Sequence, residues 1–337
     1  MTGQASSRAE IPVLSVRDLE VAFPTPDGDV QAVRGVGWDV YESEVLAIAG
    51  ESGSGKSVSV MAAMGLLPAT AQVSGSISYR GRDVLAMSDK DLERLRGSSI
   101  SMVFQDPMTS LNPVMAVGAQ IAEGVRIHQR VNSRTARSTA VELLDLVGIP
   151  NAGQRVDSYP HELSGGMRQR AMIAMAIAND PDLLIADEPT TALDVTIQAQ
   201  VIDVLERARE ATGSALVIIT HDLGVVARIA HRILVMYAGR AAETGMADGV
   251  FERPSHPYTA GLLGSIPRLD APKGTRLIPI DGAPPSMLAP PPGCAFAPRC
   301  TRATPLCSQE IPELRPIGNQ QSACHHAEDQ YRESEDV

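Results

Sequence analysis

The sequence predicts a parallel, helix-covered α/β fold with a helical insertion and a small irregular C-terminal region that carries all the cysteines. Short apolar runs without polar alternation recur at 44–49 (EVLAIA), 100–104 (ISMVF), 183–187 (LLIAD) and 215–220 (ALVIIT), as expected of strands buried on both faces. Helical patterns separate these runs, and strand–helix alternation builds a parallel sheet with crossover helices. Hydrophobic residues make up 44% of the 337-residue chain and charged residues 20%, a globular balance. With aromatics at only 3%, Val, Ile, Leu, Ala and Met have to fill the core.

Taken in order, the N-terminal MTGQASSRAEIP contains no apolar signal-like segment. The EVLAIA strand leads into a glycine-rich turn, and a helix is expected to begin at Lys56. Residues 106–162 interrupt the alternation with more polar, mostly helical sequence, read as an insertion between two parts of the sheet. Within it a helix is expected from Ser133 through Val147, with apolar positions at Ala136, Ala140, Leu143, Leu144 and Val147 before Gly148. A further helix is expected over 195–208. Near residue 250 the composition changes. Prolines crowd 284–298 (PPSMLAPPPGCAFAP), which can continue neither a helix nor a central strand. The final AEDQYRESEDV reads as a solvated, frayed acidic end. The expected organisation is one domain over 11–250, with the helical insertion and its neighbouring motif at 106–180, and an extension over 251–330.

Lys and Arg total 29 against 40 Asp and Glu, a formal charge of −11, which opposes a phosphate-backbone footprint, so no nucleic-acid partner is expected. Apolar stretches such as AMIAMAIA at 171–178 are far shorter than the roughly 18 residues of a spanning helix, so the chain is not expected to cross a membrane itself.

The segment GESGSGKS at 50–57 fits the G-x-x-x-x-G-K-[ST] phosphate-loop pattern, between an apolar strand and a helix. Gly50, Gly53 and Gly55 let successive N–H groups converge on phosphate oxygens at a helix N-terminus, with Ser52, Ser54 and Val58 as flanking nucleotide-binding positions. Lys56 supplies a positive charge for the β and γ phosphates, and the Ser57 hydroxyl can hold Mg²⁺. LLIADE at 183–188 is an apolar strand that ends in two carboxylates. Such a pair is commonly a solvated strand end. Emerging from a buried strand at the carboxyl edge of the sheet, Asp187 is placed to orient the metal shell and Glu188 to accept a proton from an attacking water.

The stretch ELSGGMRQR at 162–170 resembles the signature of ABC-type ATPases. It belongs to an ordered set with the phosphate loop, Gln105 in VFQDP, LSGGM at 163–167, LLIADE, TALD at 191–194, and His221 in IITHD. The resemblance covers about residues 11–265 and implies a P-loop ABC-type nucleotide-binding domain that hydrolyses ATP with Mg²⁺. It implies that Phe23 stacks on adenine, that Gln105 touches the metal and the attacking water, and that His221 contacts the γ-phosphate. Ser164, Gly165, Gly166 and Met167 are implied to act on the nucleotide of a second ATPase domain packed head to tail. Met167 departs from the Gln usual in that signature, and reduced polar contact with the partner-site nucleotide is expected.

ERPSHPYTAGLLGSIP at 252–267 and IDGAPPSMLAPPPGCAFAPRC at 280–300 resemble the oligopeptide/dipeptide importer ATPases, as do SLNP at 110–113 and YPHELSGG at 159–166. That resemblance implies peptide import driven from the cytoplasmic face of the membrane. It also implies two transmembrane permeases, an extracytoplasmic substrate-binding protein and a second, non-identical ATPase subunit. Importers of nickel, glutathione or another non-peptide solute are the alternative, because the ATPase does not touch cargo. A soluble ABC ATPase of DNA repair or translation is opposed by the acidic charge and the single ATPase unit. An inactive regulatory subunit is opposed by intact Lys56, Asp187, Glu188 and His221.

The four cysteines, Cys294, Cys300, Cys307 and Cys324, run as C-x5-C-x6-C-x16-C. This matches neither zinc knuckles nor the ferredoxin run, so by spacing alone Zn²⁺, an iron–sulfur cluster and free thiols compete. The importer resemblance implies a [4Fe-4S] cluster in this tail; because a proline-rich tail with few apolar residues has little core of its own, ligation that folds it gives the cluster a structural rather than redox role, with His325 and His326 as bystanders.

Overall fold

The computed structural model describes residues 11–191, 194–265 and 280–334. Its strands are, in chain order, β1 (Leu14–Thr25), β2 (Gly28–Val40), β3 (Val45–Ala49), β4 (Gln72–Tyr79), β5 (Arg82–Asp83), β6 (Ile100–Val103), β7 (Leu183–Asp187), β8 (Ala215–Thr220), β9 (Arg232–Tyr237), β10 (Arg240–Met246), β11 (Arg315–Ile317) and β12 (Gln320–Ser322). They form two sheets, a smaller antiparallel one of order β2-β1-β4-β5 and a larger one of order β11-β12-β10-β9-β3-β8-β7-β6. In the larger sheet β6, β7, β8, β3 and β9 are mutually parallel.

Why the parallel strands carry unbroken apolar sequence is visible in their burial. Ala47 and Ala49 of β3, Leu184 and Ala186 of β7 and Leu216 and Ile218 of β8 face one core, which the helical insertion covers. Their neighbours Leu46, Ile48, Leu183, Ile185, Val217 and Ile219 face a second core, shared with the antiparallel sheet and the helix Lys56–Ala63. Both faces are dry, so alternation has no advantage.

The expected α/β class with an inserted helical subdomain holds. Between β6 and β7 lie the helices Pro107–Ser110, Val117–Gln129, Ser133–Leu146, Ala152–Arg155 and Gly165–Ala176, with a 3₁₀ turn at Pro160–Glu162. The helix expected from Ser133 through Val147 stops one residue earlier and buries Ala136, Ala140 and Leu144, and Gly148 takes a left-handed φ of 73°. The helix expected over 195–208 extends to Thr212, where Gly213 ends it in a left-handed cap. No helix among the described residues is long and apolar enough to cross a membrane.

The C-terminal region is more ordered than its prolines imply. Strand β12 pairs antiparallel with β10 (Glu243 opposite Ser322, Thr244 opposite Gln321), extending the large sheet. The acidic end read as frayed is instead the helix Ala327–Glu333. Its register places Ala327 and Tyr331, four residues apart, against Ile317 and Cys324, and its carboxylates find cations, Glu328 with Arg315 at 2.7 Å and Glu333 with Arg302 at 3.0 Å. Polar composition suggested solvation, whereas this helix buries its small apolar face.

Candidate functional site

Strands β3, β8 and β7 are adjacent and parallel, so their carboxyl ends open on one edge of the sheet. The phosphate loop follows β3, Glu188 follows β7 and His221 follows β8. Residues more than 160 positions apart in sequence thereby meet in the position where ligands of open α/β sheets bind.

The loop depends on its glycines for two separate reasons. Gly50 and Gly55 have φ of 147° and 95°. A Cβ on Gly50 would lie 2.2 Å from the Met236 carbonyl oxygen, and one on Gly55 would lie 2.4 Å from that of Ala32. Gly53, also at positive φ, faces open space, so there the need is conformational only. Ser52 is exposed, while Ser54 is buried and its hydroxyl has no protein partner, a polar atom free for a phosphate oxygen. Val58 packs in the first turn of the following helix against the core.

Lys56 is buried, and its Nζ donates to the loop carbonyls of Gly50 at 2.8 Å and Glu51 at 2.9 Å. Burial lowers its pKa, opposed by the nearby carboxylates of Glu188, Asp187 and Glu51. Ser57 Oγ donates to Asp187 Oδ1 at 2.8 Å. Burial raises the Asp187 pKa and Glu188 adds to the rise, while Ser57 and Lys56 oppose it. A hydroxyl and a carboxylate so paired are hard oxygen donors of the kind Mg²⁺ takes, and such a cation would favour the ionised carboxylate.

Glu188 is the hub of the site. Its Oε2 accepts from Thr191 Oγ1 at 2.9 Å and from Gln105 Nε2 at 3.2 Å, and lies 3.5 Å from His221 Nδ1. The carboxylate is 16% exposed and the His221 side chain 61%, so the network faces outward from a protected carboxylate. Gln105, Asp187, Glu188 and His221 are thus brought together with the phosphate loop. Phe23 is half-buried against the core below the small sheet, near the end of β1.

The signature lies elsewhere on the chain. Ser164 caps the helix Gly165–Ala176, its Oγ accepting from Met167 N at 3.3 Å, so the first N–H groups of that helix stand at its exposed end. Gly165 and Gly166 are partly exposed, and Met167 leans on the core of the helical insertion. Of the TALD motif, Thr191 and Asp194 are described, Asp194 capping the next helix through Ile197 N at 3.0 Å; Ala192 and Leu193 lie outside the described residues. The end of the 252–267 motif, Ile266 and Pro267, does so as well.

None of the four cysteines is in a disulfide; Cys307 and Cys324 are buried and Cys294 and Cys300 partly so. They lie close enough that ionisation of Cys294, Cys300 or Cys307 disfavours that of Cys324; burial is the larger cause, and together they push the Cys324 thiol up to about 11. Two sulfurs accept backbone N–H groups, Cys300 from Arg302 at 3.4 Å and Cys324 from His326 at 3.3 Å. Among the described residues, however, no three or more His, Cys, Asp or Glu side chains stand in a group that would hold a metal ion. His325 is within 3.0 Å of the Glu310 carbonyl and His326 within 3.1 Å of Thr304 Oγ1.

Sequence reasoning placed Thr191 in the TALD motif but gave it no role; its hydroxyl, three residues after Glu188, donates to the Glu188 carboxylate. It also missed Tyr258 and Arg299, which reach the phosphate loop from the C-terminal region through contacts no local pattern announces.

Comparison with known proteins gives two family matches, ABC transporter over residues 33–191 and the oligopeptide/dipeptide transporter C-terminal region over residues 242–307. The chain is 55% identical over 319 residues to the oligopeptide transport ATP-binding protein OppD of Mycobacterium tuberculosis, covering 94% of this chain but 52% of that protein, so it spans about half the length of that relative. It is 52% identical to the dipeptide transport ATP-binding protein DppD of Bacillus subtilis, covering 89% of this chain and 90% of the relative. To the Escherichia coli OppD it is 51% identical, covering 89% of each. Among solved structures it resembles the dimeric ATP-binding cassette MJ0796 in a post-hydrolysis state with ADP and Pi, with a TM-score of 0.62 and 25% identity over 69% of this chain and 98% of that one. The cbiO1 subunit of the Clostridium perfringens ABC transporter complex cbiONQ gives the same TM-score of 0.62 at 29% identity, covering 72% of this chain and 91% of that one.

Proposed function

The chain belongs to the ATP-binding subunits of the oligopeptide/dipeptide ABC transporters, and on that premise we propose that it hydrolyses Mg·ATP to drive import of di- or oligopeptides from the cytoplasmic face of a membrane. The observation that carries the reading is the Glu188 hub: a protected carboxylate, fixed by Thr191 and Gln105 and close to His221, beside a phosphate loop whose Ser57 is paired to Asp187.

In this reading the loop N–H groups and the orphan Ser54 hydroxyl bind the phosphates, with Gly50, Gly53 and Gly55 setting the backbone and Ser52 and Val58 flanking it. Lys56 exchanges its two loop carbonyls for phosphate oxygens, which relieves the desolvation of its charge. Ser57, Asp187 and Gln105 would hold Mg²⁺, which would supply positive charge against the phosphates. Glu188 takes a proton from the attacking water, and His221 donates to the γ-phosphate. Phe23 offers its ring to adenine.

Ser164, Gly165, Gly166 and Met167 complete the phosphate cage of a second ATPase subunit, a non-identical one, through the hydroxyl and helix N-terminus. The remaining partners are two transmembrane permeases and a substrate-binding protein. For the cysteine region we propose a structural [4Fe-4S] cluster, with Zn²⁺ as the alternative occupant. The support is donor chemistry alone, since the described residues hold no group of side chains set to bind a metal ion: four thiols in one C-terminal region, near enough to influence each other's ionisation, two of them receiving N–H bonds of the kind that stabilise ligand sulfur. Iron and sulfide analysis with visible absorption, on anaerobically purified protein, decides between them; stoichiometric zinc without iron rejects the cluster.

The test of the main reading is Glu188→Gln in the reconstituted transporter. ATP turnover should fall about 10²–10⁴-fold while ATP still binds. Turnover at the wild-type rate would show that Glu188 is not the base.

A further inference from the structure

The phosphate loop is gripped by the C-terminal region. Arg299 makes a two-pronged ion pair with Glu51, the loop residue after Gly50, from Nη1 to Oε2 at 2.7 Å and from Nη2 to Oε1 at 3.0 Å. The Arg299 side chain is only 5% exposed and Glu51 27%, so the pair is shielded from much of the solvent. Arg299 is itself anchored, donating to the carbonyls of Asp281 at 2.9 Å and Ile280 at 3.2 Å and to the Tyr237 hydroxyl at 3.2 Å. From below, the fully buried Tyr258 accepts the Glu51 N–H at 2.8 Å. Pro284, Pro285 and Met287 close a small cavity against Glu51, Ser52, Gly53 and Ser54.

Glu51 is a liability for a phosphate site. Its backbone carbonyl already engages Lys56, and its side chain places a negative charge in the loop that must receive the phosphates. Left unpaired, that charge would repel them at a range where partial burial weakens screening. A guanidinium matched to both carboxylate oxygens cancels the charge and fixes its direction.

We propose that Arg299 is a positioning residue for the nucleotide site, neutralising Glu51 and holding the first turn of the phosphate loop, so that ATP affinity depends on the folded C-terminal region. This rests on the ATP-site reading above. Because the repulsion acts alike on bound ATP and on its transition state, the effect belongs to affinity rather than to kcat.

The test is a charge cycle in the full chain, with Mg·ATP affinity measured by calorimetry at low and high salt. Arg299→Gln should weaken binding about ten-fold, or about 1.4 kcal/mol, and more at low salt. Glu51→Gln leaves Arg299 as an unpaired cation and should tighten binding. The double variant, neutral again, should return to within about two-fold of wild type, a rescue that a merely structural Arg299 would not give. Wild-type affinity in Arg299→Gln, or a double variant as weak as the single one, overturns the proposal. Should Arg299→Gln fail to fold, Arg299→Lys replaces it. The lost fork then predicts about three-fold weaker binding, again restored by Glu51→Gln, and no weakening or no restoration overturns the proposal. A wild-type chain that binds no ATP rejects the ATP-site reading itself, whereas normal wild-type binding with an indifferent Arg299→Gln rejects only this inference.

Discussion

Glu188 sits in an unusual backbone state, with φ of 43° in a residue that has a Cβ. Such a conformation costs on the order of 1–3 kcal/mol and persists only where surroundings enforce it. Here the Glu188 N–H is held by the Ile219 carbonyl at 2.9 Å, and its carboxylate by Thr191 at 2.9 Å. The strain turns the side chain out of the strand direction toward Gln105 and His221. Thr191→Val keeps the shape and removes only the donor. A hydrogen bond to a charged group contributes about 1.5–3 kcal/mol, so kcat should fall roughly ten-fold or more with KM for ATP little changed. A variant with unaltered kcat would show that the backbone alone orients the base.

At the scale of the element, the helix Pro257–Gly264 begins with His256, whose Nδ1 accepts from Tyr258 N at 3.0 Å, and with Pro257 at its first position. This cap holds Tyr258 under the phosphate loop. His256 is buried, and burial pushes its pKa from 6.5 down to about 4. The unfolded chain therefore takes up a proton that the folded chain refuses. Stability from this group is fully present above pH 6.5 and is lost as pH falls toward about 4. The slope is about 1.4 kcal/mol per pH unit for one proton. Urea midpoints followed from pH 7 to pH 4 should drop, and His256→Asn, which keeps a capping oxygen without a titrating group, should flatten that part of the drop. An equal slope in the variant would place the acid sensitivity elsewhere.

At the scale of the whole molecule, one buried carboxylate joins the large sheet to the C-terminal region. Glu243 on β10 is fully buried and accepts from Ser255 N and Oγ, each at 2.6 Å, from His256 N at 3.1 Å, and from Gln320 Nε2 on β12 at 2.8 Å. Four donors on two oxygens compensate its desolvation. Glu243→Gln would turn an amide N–H₂ toward donors, with an expected loss of about 1–3 kcal/mol. Hydrogen exchange should then rise in 315–322 while β3, β7 and β8 stay protected, and unchanged exchange at 315–322 would show that strand pairing suffices without the charge.

Much of the candidate site was legible in the sequence because its motifs are local. A strand, a glycine-rich turn and a helix lie within GESGSGKS and its flanks, and LLIADE carries its carboxylates at the strand end that burial dictates. The small antiparallel sheet was not legible, because β1 mixes Arg17, Asp18 and Glu20 into its apolar residues and shifts register between Val16 and Leu19, so neither a continuous run nor a clean alternation survives. The acidic terminal helix was misread for a related reason, since its buried face is only Ala327, Gln330 and part of Tyr331. By itself the sequence determined the sheet class, the helical insertion and the phosphate loop, each of which depends on neighbours along the chain. Only the tertiary structure decided that Arg299, 248 residues from Glu51, and Tyr258, 207 residues from it, would meet that loop. An ion pair or a single hydrogen bond across such a distance leaves no periodicity behind, and burial by the folded sheet and C-terminal region is what brings the partners together.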